Sequence, residues 1–146
     1  MVIQLNDVSK HFIDVVVRDG DEWRLTGVYG EPSWDHKDQT WGAPCSLHGS
    51  SSLPWLALGD FNEILFYHEK EGGRARPQGH KQALQDALAD CGLADIGYTR
   101  DIFTWRRGKI RERLDRGIAN LEWNIMFPNA RLVNSEMVKS DHRRSL

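Results

Sequence analysis

Residues 54–66 read PWLALGDFNEILF, an apolar run that stops at Asp60 and Asn62 and then turns apolar again. Leu56, Ala57 and Leu58 are too few to show a period, but so short a run with so sharp an end reads as a buried strand. At the exit of such a strand, a loop on a rigid support delivers a carboxylate and a carboxamide two residues apart. A Gly-Asp turn capped by Asn uses the same letters. The stretch alone therefore leaves a turn and a site both open.

Upstream, FIDVVVRDGDEWRLTGVYG carries β-branched and aromatic residues on both sides of Asp19-Gly20, a pair suited to a tight hairpin. Two antiparallel strands are expected over about 11–17 and 22–29. In the second, the two-residue period sets Trp23, Leu25, Gly27 and Tyr29 on one side and Arg24, Thr26 and Val28 on the other. The following segment, 30–52, is rich in turn formers, with a short helix expected around 35–42 that Pro44 would end.

Downstream, 66–79 reads as a polar loop containing Gly72-Gly73. HKQALQDALADCG then places Ala83, Leu84, Ala87, Leu88 and Cys91 on one helical face, with Gly92 to terminate it. IFTW, RRGK and IRERLDRGIAN read as strand, turn and strand; LEWNIMFP as a short helix stopped by Pro128; ARLVNSEMV as a last strand before KSDH. Strands and helices mix without regular βαβ alternation, so an α/β sandwich with largely antiparallel sheets is expected.

The 146 residues suit one domain, and 40% hydrophobic content with six Trp excludes a mainly disordered chain. Residues 1–72 hold 5 Lys+Arg against 12 Asp+Glu, whereas 73–146 hold 14 against 9, so the second half is the basic one. The start MVIQLNDVSKHF lacks the pattern of a secretory signal, and no apolar run approaches the ~20 residues that span a bilayer. A soluble intracellular protein, nuclear or cytoplasmic, with no membrane partner is expected. Cys45 and Cys91 form no metal-binding or redox motif, and in that compartment they read as free thiols with no disulfide partner. Oligomeric state is not legible.

Two further acidic motifs accompany Asp60. ERLDR sets Asp115 in a strand, and SDH joins Asp141 to His142. A carboxylate beside a histidine fixes its tautomer and orientation, and Asp141 offers oxygens suited to a hard cation such as Mg²⁺. Each piece alone also suits ordinary surface chemistry. Arg100, Arg106, Arg107, Lys109, Arg111, Arg113 and Arg116 crowd the segment around FTW and RLD, opposed there by Asp101, Glu112 and Asp115. This fits either a nucleic-acid-facing surface or a solvated hairpin.

GVYG, PWLALGDFNEIL, EKEGG, FTW, ERLDR, FP and SDH, in this order and spacing, resemble the endonuclease/exonuclease/phosphatase superfamily. The resemblance is closest to the endonuclease domain of LINE-type (non-LTR) retrotransposons. It implies a two-sheet, DNase I-like α/β sandwich with mostly antiparallel mixed sheets, of which this chain is the C-terminal portion. It implies that Tyr29 approaches the scissile phosphate, that Asp60 positions or deprotonates the attacking water, and that Asn62 contacts the phosphate. Asp115 would hydrogen-bond the catalytic His142, with Asp141 at the metal site. Thr104, Trp105, Arg106, Arg107, Lys109 and Arg111 form the expected nucleic-acid-facing set. Mg²⁺ or Mn²⁺ is the implied cofactor and DNA the implied partner.

The sequence departs from this pattern at both ends. The early asparagine strand and the principal metal-binding glutamate have no counterpart, because Asn6 stands in the wrong context and Glu22 comes too late. The apolar strand expected after SDH is also missing, and Pro44 falls where a helix ordinarily continues. Residues 1–146 are therefore expected to be a single incomplete domain, a fragment of a metal-dependent DNA endonuclease with little or no activity alone. Such a half-sandwich would expose an apolar face and an unpaired edge. The alternatives are a non-catalytic nucleic-acid-binding or interaction module, and a phosphatase acting on small phosphoesters.

Overall fold

The structure is a computed structural model and describes residues 1–31 and 53–134. The β-branched run on each side of Gly20 forms β2 (Phe12–Asp19) and β3 (Asp21–Tyr29), antiparallel, with Asp19 paired to Asp21 across the turn. The expected alternation holds: Arg24, Thr26 and Val28 are buried, while Gly27 and Tyr29 on the other side are exposed. β1 (Val2–Val8), to which the sequence reading assigned no strand, pairs antiparallel with β2. Every residue of β1 is exposed, so it carries no buried–exposed alternation to reveal it, and its register slips between Leu5 and Asp7.

The LAL run forms β4 (Trp55–Asp60), parallel to β3. β9 (Asp115–Ala119) pairs antiparallel on the far side of β4, and β6 (Ala94–Asp95) completes a mixed six-stranded sheet in the order β1-β2-β3-β4-β9-β6. A second, antiparallel sheet contains β5 (Lys70–Glu71), β8 (Ile110–Glu112) and β7 (Trp105–Arg107) in the order β5-β8-β7. The expected strand over 110–120 is thus two strands in different sheets. At the junction, Arg113 N–H donates to the Glu69 carbonyl (2.9 Å), still in the β5–β8 register, whereas the Leu114 carbonyl accepts from Phe61 N–H (2.8 Å), in the β4–β9 register, so the chain changes sheets between these two residues. The loop expected over 66–79 contains β5 and a 3-10 turn at Tyr67–Glu69.

Helix α1 (Gln78–Asp90) lies on one face of the large sheet. Leu84, Leu88 and Cys91, with Ala83 and Ala87 beside them, meet Val28, Trp55, Ala57, Phe61 and Ile118, the face that the helical spacing predicts. Burying side chains of this size stabilises by roughly 1.5–3 kcal/mol each. The helix closes with Gly92 N–H donating to the Ala89 carbonyl and Leu93 N–H to that of Leu88, a Schellman end. Cys91 is buried at the helix end. Cys45 lies outside the described residues, as does the helix expected at 35–42.

Asn120 caps the short α2 (Leu121–Met126) by accepting from Trp123 N–H, and α2 ends before Pro128 as expected. Trp123 and Phe127 pack edge-on against Trp23. Of the strand expected over 130–138, residues 130–132 form none, Val133 makes an isolated parallel bridge to Thr99, and 135–138 lie outside the described residues. On the face away from α1, Ile13 and Tyr29 are exposed, and edge strand β1 leaves Val2, Ile3, Leu5 and Val8 open to solvent. Among the described residues, β1 is thus the edge of the large sheet. Among the described residues, no helix is long and apolar enough to cross a membrane.

Candidate active site

Strand register assembles the site. Tyr29 pairs with Asp60 across β3 and β4, and Asp60 pairs with Asp115 across β4 and β9. Directly paired residues project from the same side of a sheet, so the three side chains stand in a row on the face away from α1, on strands about 5 Å apart. Tyr29 is 53% exposed, Asp60 half-buried and Asp115 buried. Beside Tyr29 a groove of about 360 Å³ opens, lined by Ile13, Gly27 and Leu58 among others.

Backbone and side-chain bonds hold the turn after Asp60. Asn62 lies in the left-handed region (φ 52°), where its N–H donates to Asp60 Oδ1 (2.8 Å) and its Nδ2 to the Gly30 carbonyl (2.9 Å). One of its two amide protons is thereby committed to the fold. Gly30 N–H in turn donates to the Asp60 carbonyl (2.7 Å). A Cβ at Gly30 would fall 2.0 Å from the Phe61 carbonyl oxygen, so only glycine lets the two strand ends approach this closely. GVYG and GDFN are two halves of one structure.

Thr104 is fully buried, and its hydroxyl accepts from both Leu114 and Asp115 N–H (3.0 Å each). It acts on Asp115 through the backbone. Trp105 is half-buried at the start of β7, and Arg106, Arg107 and Lys109 are exposed along the β7–β8 hairpin. Arg111 is partly withdrawn, paired with Glu71 and stacked over the Phe103 ring. Asp141 and His142 lie outside the described residues.

No protein-family model and no curated protein matches the sequence. Solved structures do match. The 3'-5' exonuclease NExo from Neisseria meningitidis superposes over 99% of this chain and 70% of its own, with TM-score 0.70 and 20% identity. NExo from Neisseria described as a 3' phosphatase with a bound product DNA hairpin gives TM-score 0.68, 18% identity and coverage of 98% and 68%. The endonuclease domain of TRAS1, a telomere-specific non-LTR retrotransposon, gives TM-score 0.65, 18% identity and coverage of 98% and 67%. The chain shares the DNase I-like fold of these exonuclease, phosphatase and endonuclease structures. At these identities the likeness establishes this DNase I-like architecture.

Against the cation that the superfamily resemblance implies, the donor set is incomplete. Among the described residues, no group of three His, Cys, Asp or Glu is arranged to hold a metal ion. Mg²⁺ takes near-octahedral oxygen coordination, and the Asp60–Asp115 pair falls short of it.

The sequence reading missed the charges beneath the site. Arg113 and Arg116, counted with the basic segment, are buried and bind Glu69 and Asp95 at 2.8–2.9 Å, so they face inward, away from any nucleic acid. Burial raises the Glu69 pKa, but the hydrogen bond and charge of Arg116, Leu65 N–H and Arg113 outweigh it and hold the carboxyl at about 2. Burial likewise pulls Arg113 down, and Asp95 and Glu69 more than reverse it. Near Asn62, Arg76 donates to the Asn62 carbonyl (3.0 Å) and pairs with Glu112 (2.5 Å) and Glu63 (3.4 Å). His11 lies 3.0 Å from the Tyr29 carbonyl through Nδ1 and 3.7 Å from Glu31 through Nε2. The EKEGG motif pointed to the Glu69 region, but nothing in the sequence marked His11.

Proposed function

We propose that the chain is part of a phosphodiesterase domain of the retrotransposon-endonuclease kind, acting on DNA. The observation that carries the reading is the register that sets Tyr29, Asp60 and Asp115 side by side at one sheet end, with Asn62 fixed beside them. Phosphodiester hydrolysis needs an oriented water and donors to the non-bridging oxygens. Asp60 serves the water, and Tyr29 and Asn62 donate to the phosphate. Asp115 is the partner expected for His142, which would stabilise the same charge or carry a proton. Mg²⁺ or Mn²⁺ would add charge neutralisation when bound, and the described residues do not complete a site for it. The likeness to the TRAS1 endonuclease domain and to NExo bound to a product DNA hairpin supports the substrate class.

The test is plasmid nicking with Mg²⁺ and an EDTA control. Slow, EDTA-sensitive nicking abolished by Asp60→Ala is the expected result, and equal nicking by wild type and Asp60→Ala overturns it. The exposed Arg106, Arg107 and Lys109 favour a second reading, a nucleic-acid-binding module without hydrolysis. Salt-dependent DNA binding without nicking, unchanged in Asp60→Ala, would select that one. Because NExo is described as a 3' phosphatase, a panel of small phosphoesters ranks that activity against nicking.

A further inference from the structure

Lys81 sits in the first turns of α1, only 8% exposed. Among the described residues, no carboxylate lies within ion-pair distance of its ammonium, whose one aromatic neighbour is the Tyr67 ring at 5.8 Å. Its carbon stem is buried, while its ammonium has no anion of the described chain to meet. It lines a pocket of about 100 Å³ together with Lys70, Arg76, Tyr67 and Gly72-Gly73. At ~30 Å³ per water, that volume holds about three waters or one tetrahedral oxyanion.

The charges do not balance. Glu112 accepts both Lys70 (3.4 Å) and Arg76 (2.5 Å), and Glu63 faces Arg76 (3.4 Å) and His80 (3.7 Å). Three cations thus line or adjoin the pocket against two carboxylates, and Lys81 is the surplus one. The loop wall is fixed, since Gly72 lies at φ 75° with a Cβ position only 2.7 Å from the Lys109 carbonyl oxygen. Arg76 also ties the pocket to the candidate active site through the Asn62 carbonyl.

We propose that this pocket is a second anion site, binding a phosphate-class oxyanion through Lys81, and that its source is a backbone phosphate flanking the one attacked. The source rests on the proposed function; the anion site does not. Thermal unfolding of the chain is measured in inorganic phosphate against chloride at matched ionic strength, for wild type, Lys81→Met and Lys81→Arg. Phosphate is expected to raise the midpoint of wild type and Lys81→Arg but not of Lys81→Met. No phosphate effect on wild type, or an equal effect on Lys81→Met, overturns the site. In a second arm, binding of a short DNA duplex is followed against salt, and Lys81→Met should lower the slope of log affinity against log salt by about 1. An unchanged slope, with the phosphate effect lost, keeps the site but overturns the nucleic-acid source. Because the first arm needs no cleavage, it stands whether or not the chain nicks DNA. If Lys81→Met fails to fold, Lys70→Met replaces it, with the same expected loss of the phosphate effect.

Discussion

Two clusters of buried charge adjoin the turn that follows Asp60, and they differ by one positive charge. In one, Glu69 and Asp95 face Arg113 and Arg116, two against two, in contacts of 2.8–2.9 Å. In the other, Glu63 and Glu112 face Lys70 and Arg76, and Lys81 stands beside them on the pocket wall. The residue types are the same, but a balanced, closed cluster can only hold the fold. An unbalanced one that opens on a pocket has a charge left for a ligand.

Breaking the closed cluster should have the largest effect. Glu69→Gln leaves two buried guanidinium groups with one carboxylate between them and should cost about 3–5 kcal/mol in urea unfolding. Acid tests the same cluster without mutation. Glu69 is depressed to about 2, so its stabilisation is fully present above its unfolded pKa, near 4.3, and is lost as pH falls toward 2. Unfolding at pH 5 against pH 2 should differ by roughly 3 kcal/mol from this group, and Glu69→Gln should remove that part of the difference. Thr104→Val strands the two backbone donors that fix Leu114 and Asp115, and should cost about 1–3 kcal/mol and slow any nicking. The open cluster should respond least in stability. Lys81→Met without phosphate should shift unfolding by less than about 1 kcal/mol, because the charge removed had no partner to lose. A cost as large as that of Glu69→Gln would erase the distinction.

Much of the fold was legible, because periodicity reports local geometry. The hairpin at Gly20, the α1 face through Leu84 and Leu88, and the stop before Pro128 each follow from spacing over a few residues. The switch of sheets at Arg113-Leu114 was not legible, because it depends on backbone partners at Glu69 and Phe61, more than forty residues away. The site divides the same way. Tyr29, Asp60 and Asp115 stood out as motif residues, and register brings them together. Arg113 and Arg116 read as surface because the acids that neutralise them, Glu69 and Asp95, are neighbours only in space. β1 escaped notice because it is exposed along its whole length and so has no buried face to impose an alternation.

The change of sheets between β8 and β9 has a mechanical corollary. The hairpin bearing Arg106, Arg107 and Lys109 runs into the strand bearing Asp115 with only Arg113 and Leu114 between Glu112 and that carboxylate. The hairpin is a lever arm on a short, braced hinge, so any load it takes up reaches Asp115 as torque, and the Asp115 amide is the place to read it.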